Sequence, residues 1–274
     1  MKLKLFITLL FSVIIISNNF AANILNDDKD KDKHKHEHIH FAHPLVTETP
    51  SPDTKVRLDY FYKNINSGGL KDNTIRFEAE YAFNPSFSIE VDLLYTILNP
   101  SLGSTESNFN NINIGFKFAN YSFEENNILL GYGLEFGIPS GDQNVGIGSN
   151  HIFNIEPFFS IGYKLNKLDI IGHIAFGIPT NLDENVGDEF ENEFESNLSF
   201  LYQTTERLQL LLEFDRSVVI AGEESGISVL NISPGVKFQP LSNPNLLVGV
   251  SVGFPLTDLE SFDTRVIGSV FFHF

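Results

Sequence analysis

No cysteine occurs among the 274 residues, which excludes thiol nucleophiles, cysteine-ligated metal centres and disulfides. Tryptophan is also absent, so the aromatic content rests on 27 Phe and 8 Tyr. Positive charge is scarce: 18 Lys and Arg stand against 35 Asp and Glu, a formal net charge of −17. A chain of that sign repels phosphate backbones, which argues against nucleic acid and for cations or neutral solutes as partners. Beyond residue 22 no stretch approaches the roughly 18 to 20 consecutive apolar residues of a spanning helix. If the mature chain enters a membrane it does so as strands, because only helices and closed barrels satisfy their own backbone in hydrocarbon.

The amino end reads as a secretory signal peptide. Lys2 and Lys4 precede an apolar run from Leu5 to Ile16, then polar Ser17 to Asn19, then Ala21 and Ala22; this order matches a charged, apolar and small-residue sequence of regions. The expected organisation is a signal peptide over 1–22, a disordered periplasmic histidine-rich leader over 23–53, and an outer-membrane barrel over 54–274.

Strict alternation of apolar residues carries the fold assignment. The last segment places Thr264, Val266, Gly268, Val270, Phe272 and Phe274 on one face, and Asp263, Arg265, Ile267, Ser269, Phe271 and His273 on the other. Eleven segments before it repeat the pattern, among them Ile75 to Phe83, Phe87 to Tyr95, Ile128 to Ile138 and Leu208 to Phe214. Short connections at 84–86, 122–126, 166–167, 204–206 and 239–245 alternate with longer ones. The expected architecture is all-β: a transmembrane antiparallel barrel of about twelve strands. An even strand number puts both termini, and the short turns, on the periplasmic side of the outer membrane of a Gram-negative bacterium. Phe274 supplies the terminal aromatic that the barrel-assembly machinery reads. Pro157 and Pro234 fall mid-segment, where a missing ladder donor predicts a bulge or a bend.

Two segments carry a family resemblance: HPLVTETPSPDTKVRLDY from His43 to Tyr60, and GLEFGIPSGD from Gly133 to Asp142, ahead of Gly146 and Gly148. They resemble the transporter-like outer-membrane proteins of the phenol-degradation MetA-pathway family. The resemblance implies an outer-membrane barrel that passes small molecules; it carries over no catalytic residue and no particular substrate.

The leader holds His34, His36, His38 and His40 at alternate positions, with His43 close behind. Neutral imidazoles are good ligands for Zn, Cu or Ni, and a spacing of two puts alternate side chains on one side of an extended chain. The expectation is capture of a divalent transition metal by these five histidines. No cofactor is otherwise required.

If the apolar face meets lipid, the opposite parity lines the lumen. Acids there are Asp59, Glu78, Glu80, Glu90, Asp92, Glu135, Glu156, Asp169, Glu191, Glu193, Glu195, Glu213 and Asp215; the bases include Arg57, Arg76, Lys117 and Arg265, and His173 joins them mid-strand. The surplus of acid predicts a lumen that favours small cations. Large inward residues such as Phe61, Phe158, Leu201, Leu211 and Phe271 predict partial plugging instead, the reading of a non-conducting structural, binding or adhesion barrel. An enzyme is the less favoured alternative: His151, His173 and His273 have no Ser in a recognisable nucleophile setting. The expected activity is therefore that of a porin-like channel for small solutes.

Overall fold

The computed structural model describes residues 38–65, 69–182, 191–221, 225–240, 243, 245–259 and 261–274. The segment read as a signal peptide lies outside the described residues, as do His34 and His36. None of the described helices is long and apolar enough to cross a membrane.

Strands account for most of the described chain: β1 (Lys55–Ile65), β2 (Leu70–Asn84), β3 (Phe87–Pro100), β4 (Glu106–Phe109), β5 (Ile112–Asn120), β6 (Ile128–Ile138), β7 (Phe153–Leu165), β8 (Leu168–Thr180), β9 (Asn192–Thr205), β10 (Leu208–Ala221), β11 (Ser228–Phe238), β12 (Leu246–Pro255) and β13 (Thr264–His273). Neighbours in sequence pair antiparallel, and β1 closes on β13 from Lys55↔His273 to Asn64↔Thr264. The result is a closed barrel of twelve antiparallel strands, with β4 extending β5. Leu93 and Leu94 of β3 face Asn110, Asn111 and Ile112, since the registers on either side are Asp92↔Asn113 and Tyr95↔Phe109. One extra residue is a bulge, so β4 and β5 are one interrupted strand, which sequence alternation begins only at Ile112.

Leu58, Phe159, Ile161, Leu198, Leu210, Leu212, Val250 and Val270 all point outward and are exposed on the isolated chain, where a bilayer would cover them. Aromatic contacts bracket this apolar band. Near the short turns Phe87 stacks on Phe83 and Phe118, and Phe118 on Tyr132; toward the long loops Tyr95 meets Phe109 and Phe176 meets Phe194. Aromatic girdles at both interfaces are the pattern of membrane barrels.

The prolines act differently from expectation. Pairing of β7 with β8 runs Ile155↔Ile178 then Phe158↔Ala175, and that of β11 with β12 runs Ile232↔Phe254 then Gly235↔Ser251. Each ladder lapses once, over the two residues that end at Pro157 and at Pro234, and resumes in the same register. The missing donors cost pairing on one side only, and the other neighbours, Leu134 and Leu212, stay in register.

The expected leader is divided. Residues 23–37 lie outside the described residues, but 38–53 are not a free periplasmic leader: Phe41, Leu45, Thr47 and Ser51 are buried inside the barrel at its short-turn end. Inward apolar residues there form a socket. Phe41 and Leu45 pack with Leu129, Ile171, Leu201, Leu211, Ile267 and Phe271. A hydrophobic segment beside the polar tract thus finds an apolar collar on the lumen side, and burying it there removes its surface from water.

Candidate functional site

The inner wall divides into a sector of closely matched charge pairs and one in which acids outnumber bases. On β1 to β3 and β5, Lys55 Nζ sits 2.7 Å from Glu78 and also bonds Glu80, while Lys117 reaches Glu80 at 3.1 Å and Glu48 of the inserted segment. Arg57 and Arg76 share Asp59 at 2.8 and 2.7 Å. Lys55, Glu78 and Glu80 are almost wholly buried, so each charge depends on its partner. Across the barrel, Arg265 pairs with Asp215 at 2.5 Å, and Asp215 also accepts from Asn231 at 2.7 Å.

The other sector is acidic. Glu135 on β6 and Glu156 on β7 are direct cross-strand partners, an arrangement of like charges that is unfavourable without a screening cation or proton. With Glu90, Asp92 and Glu195 they line a cavity of about 200 Å³, where Arg76 and Lys117 are the cationic side chains and His173 is a further wall residue. Glu193 bonds Ser217, and Glu191 is half-buried just ahead of β9. Of the set expected inward from parity, Glu90, Asp92, Glu135, Glu156 and Glu195 come together around one space.

Segment 38–53 crosses the lumen below that cavity and is held chiefly through its backbone. The carboxylate of Glu213 on β10 accepts from the N–H groups of Leu45 and Val46, at 3.2 Å each, and from Thr47. Arg57 donates to the Leu45 carbonyl at 2.7 Å, Lys237 donates to that of His43 at 2.6 Å, and Asp169 accepts from Ala42 N–H at 3.1 Å. Backbone groups removed from water need partners, and here wall charges supply them. Glycines make the room: a Cβ at Gly162 would stand 2.7 Å from the Phe41 ring, one at Gly249 2.6 Å from Leu45, and one at Gly131 2.6 Å from Pro50. Parity reasoning placed Glu213 and Arg57 on the wall but missed that they clasp a segment of the same chain. The available signals were Phe41, Leu45 and Val46 beside the polar tract and inward glycines facing them.

Of the histidines expected to bind metal, the structure brings together His40 and His43. Both approach Oδ2 of Asp53, at 3.7 and 2.9 Å, and His273 of β13 approaches the same oxygen at 2.6 Å. His38 instead sits 3.1 Å from Glu124. His173 bonds Ser160 across the β7–β8 pair at 2.9 Å, with Ser160 fully buried. That is a satisfied wall pair, consistent with a structural role for His173.

No family model matches the chain and no curated protein does, so the phenol-degradation family resemblance rests on His43–Tyr60 and Gly133–Asp142 alone. Solved structures do match. An outer-membrane channel from Pseudomonas putida F1 superposes with a TM-score of 0.66 at 12% identity, covering 85% of this chain and 100% of that one. The KdgM porin gives 0.53 at 11% identity, covering 80% and 99%, and the NanC porin 0.54 at 7%, covering 81% and 98%. At such identities the likeness establishes the fold alone: a closed antiparallel barrel like those of these outer-membrane proteins.

Proposed function

We propose that the chain is an outer-membrane channel of a Gram-negative bacterium that passes small solutes, prefers cations, and is restricted by its own segment 38–53. The observation that carries this reading is the acidic cavity of Glu90, Asp92, Glu135, Glu156 and Glu195 above the segment. A ring of carboxylates favours entry of cations and disfavours anions. The KdgM porin has been crystallised with oligogalacturonate, a chain of sugar carboxylates; the wall here has the opposite preference. Lipid covers the outward apolar band, the termini and short turns face the periplasm, and Phe274 serves as the handle for the barrel-assembly machinery. No catalytic step is assigned.

A second reading, a non-conducting barrel, is favoured by the density of wall contacts to 38–53. Planar-bilayer recording under a salt gradient separates the two. Conducting steps should reverse near the potassium equilibrium potential, and Glu135→Gln with Glu156→Gln should move that reversal potential toward zero. Anion-selective reversal overturns the cation preference, and silence both with and without 38–53 establishes the non-conducting barrel.

A further inference from the structure

We propose that His40, His43, Asp53 and His273 form a transition-metal site that ties the inserted segment to the last strand, an inference that builds on the reading of 38–53 as the element restricting the lumen. The donors come from both ends of the segment and from the barrel wall, so a bound ion would join parts of the chain that are distant in sequence. The donor atoms of His40, His43 and Asp53 all lie within 4.8 Å of one another, and His273 Nδ1 stands 2.6 Å from Asp53 Oδ2. Four donors at about 2.0 Å from zinc lie about 3.3 Å apart, so a bound ion would separate His273 Nδ1 from Asp53 Oδ2 and draw it toward the rings of His40 and His43.

The local hydrogen bonding converges on one carboxylate oxygen. Asp53 Oδ1 already accepts from Thr54 N–H at 2.7 Å, which orients the carboxylate and leaves Oδ2 for the histidines. Three imidazoles then converge on that one oxygen, at 2.6, 2.9 and 3.7 Å. A carboxylate oxygen has two lone-pair sites, so it cannot serve three ring nitrogens well; a divalent cation among them can. His273 Nε2 is buried without a hydrogen-bond partner.

Three imidazoles and one carboxylate are the ligands of zinc, nickel or copper rather than of calcium or magnesium. The site differs from capture by a flexible histidine tract because it requires His273 and Asp53 and does not use His34 or His36. The test is titration of the full-length folded protein in detergent with cobalt(II) alone, read by its visible ligand-field band. Wild type should bind one equivalent with a four-coordinate spectrum. His273→Asn and Asp53→Asn should each weaken binding by roughly tenfold or more, and His34→Ala with His36→Ala should leave the band unchanged. Heat-modifiable gel mobility checks that every variant is a folded barrel. Binding by His273→Asn equal to wild type, or loss of the band in the His34 and His36 variant, overturns the site. The spectrum is independent of conductance, so a failed metal site and a failed restriction by 38–53 give different results.

Discussion

Deletion of residues 38–53 should raise single-channel conductance several-fold over that of the full-length protein. A barrel of eight strands is just wide enough for its own side chains, and barrels of sixteen or more enclose an aqueous channel. Twelve strands lie between these limits, so a length of chain laid across the lumen decides how much space remains. Here that chain fills the short-turn end: Phe41 and Leu45 sit in the collar of Leu129, Ile171, Leu201, Leu211, Ile267 and Phe271. Its removal exposes Glu213, Arg57 and Lys237 to lumen water, where they are solvated, and the strand ladders that close the barrel do not involve it. The variant should therefore fold and conduct more. Equal conductance with and without 38–53, in variants that show folded mobility, would mean that the segment does not restrict flow.

The second large effect concerns stability. Lys55→Met should destabilise the barrel by about 3 to 5 kcal/mol, the usual consequence of breaking a buried ion pair from one side. Lys55 Nζ lies 2.7 Å from Glu78, bonds Glu80 and stands 3.6 Å from Glu90. The side chains of Lys55, Glu78 and Glu80 are at most 1% exposed, so water cannot take over when the ammonium is lost. Reversible urea unfolding in phospholipid vesicles measures the change, and adding Glu80→Gln to Lys55→Met should recover a substantial part by removing one orphaned carboxylate. A loss below about 1 kcal/mol, the range of an exposed pair, would contradict the buried network.

How far the sequence announces these features depends on which environment imposed them. Lipid tolerates no exception to alternation along a spanning strand, and runs such as Leu208 to Phe214 therefore disclosed their outward face without ambiguity. The interrupted strand was hidden because Asn110 and Asn111, which form its bulge, have the composition of a loop. Pro157 and Pro234 signalled an irregularity but not its kind: a strand can lose one ladder contact and keep its register. The charged wall followed from parity, yet its division into a paired and an acidic sector required knowing which strands face each other. Segment 38–53 was hardest to read. A polar tract ahead of a barrel has the composition of a tether, and the residues that receive it, Leu201, Leu211 and Phe271, resembled filler until Phe41 and Leu45 were seen between them.

The absence of cysteine makes one direct test available. Thr47 of the segment and Ser199 of β9 are buried and touch through their hydroxyls, so the two side chains already point at one another as a disulfide requires. Thr47→Cys with Ser199→Cys should therefore oxidise to an intramolecular disulfide in the folded barrel. The oxidised channel should stay at its lowest conductance, and dithiothreitol should return it to the conductance of the full-length protein. A folded barrel in which both thiols remain free and alkylate readily would contradict the placement of segment 38–53 in the lumen.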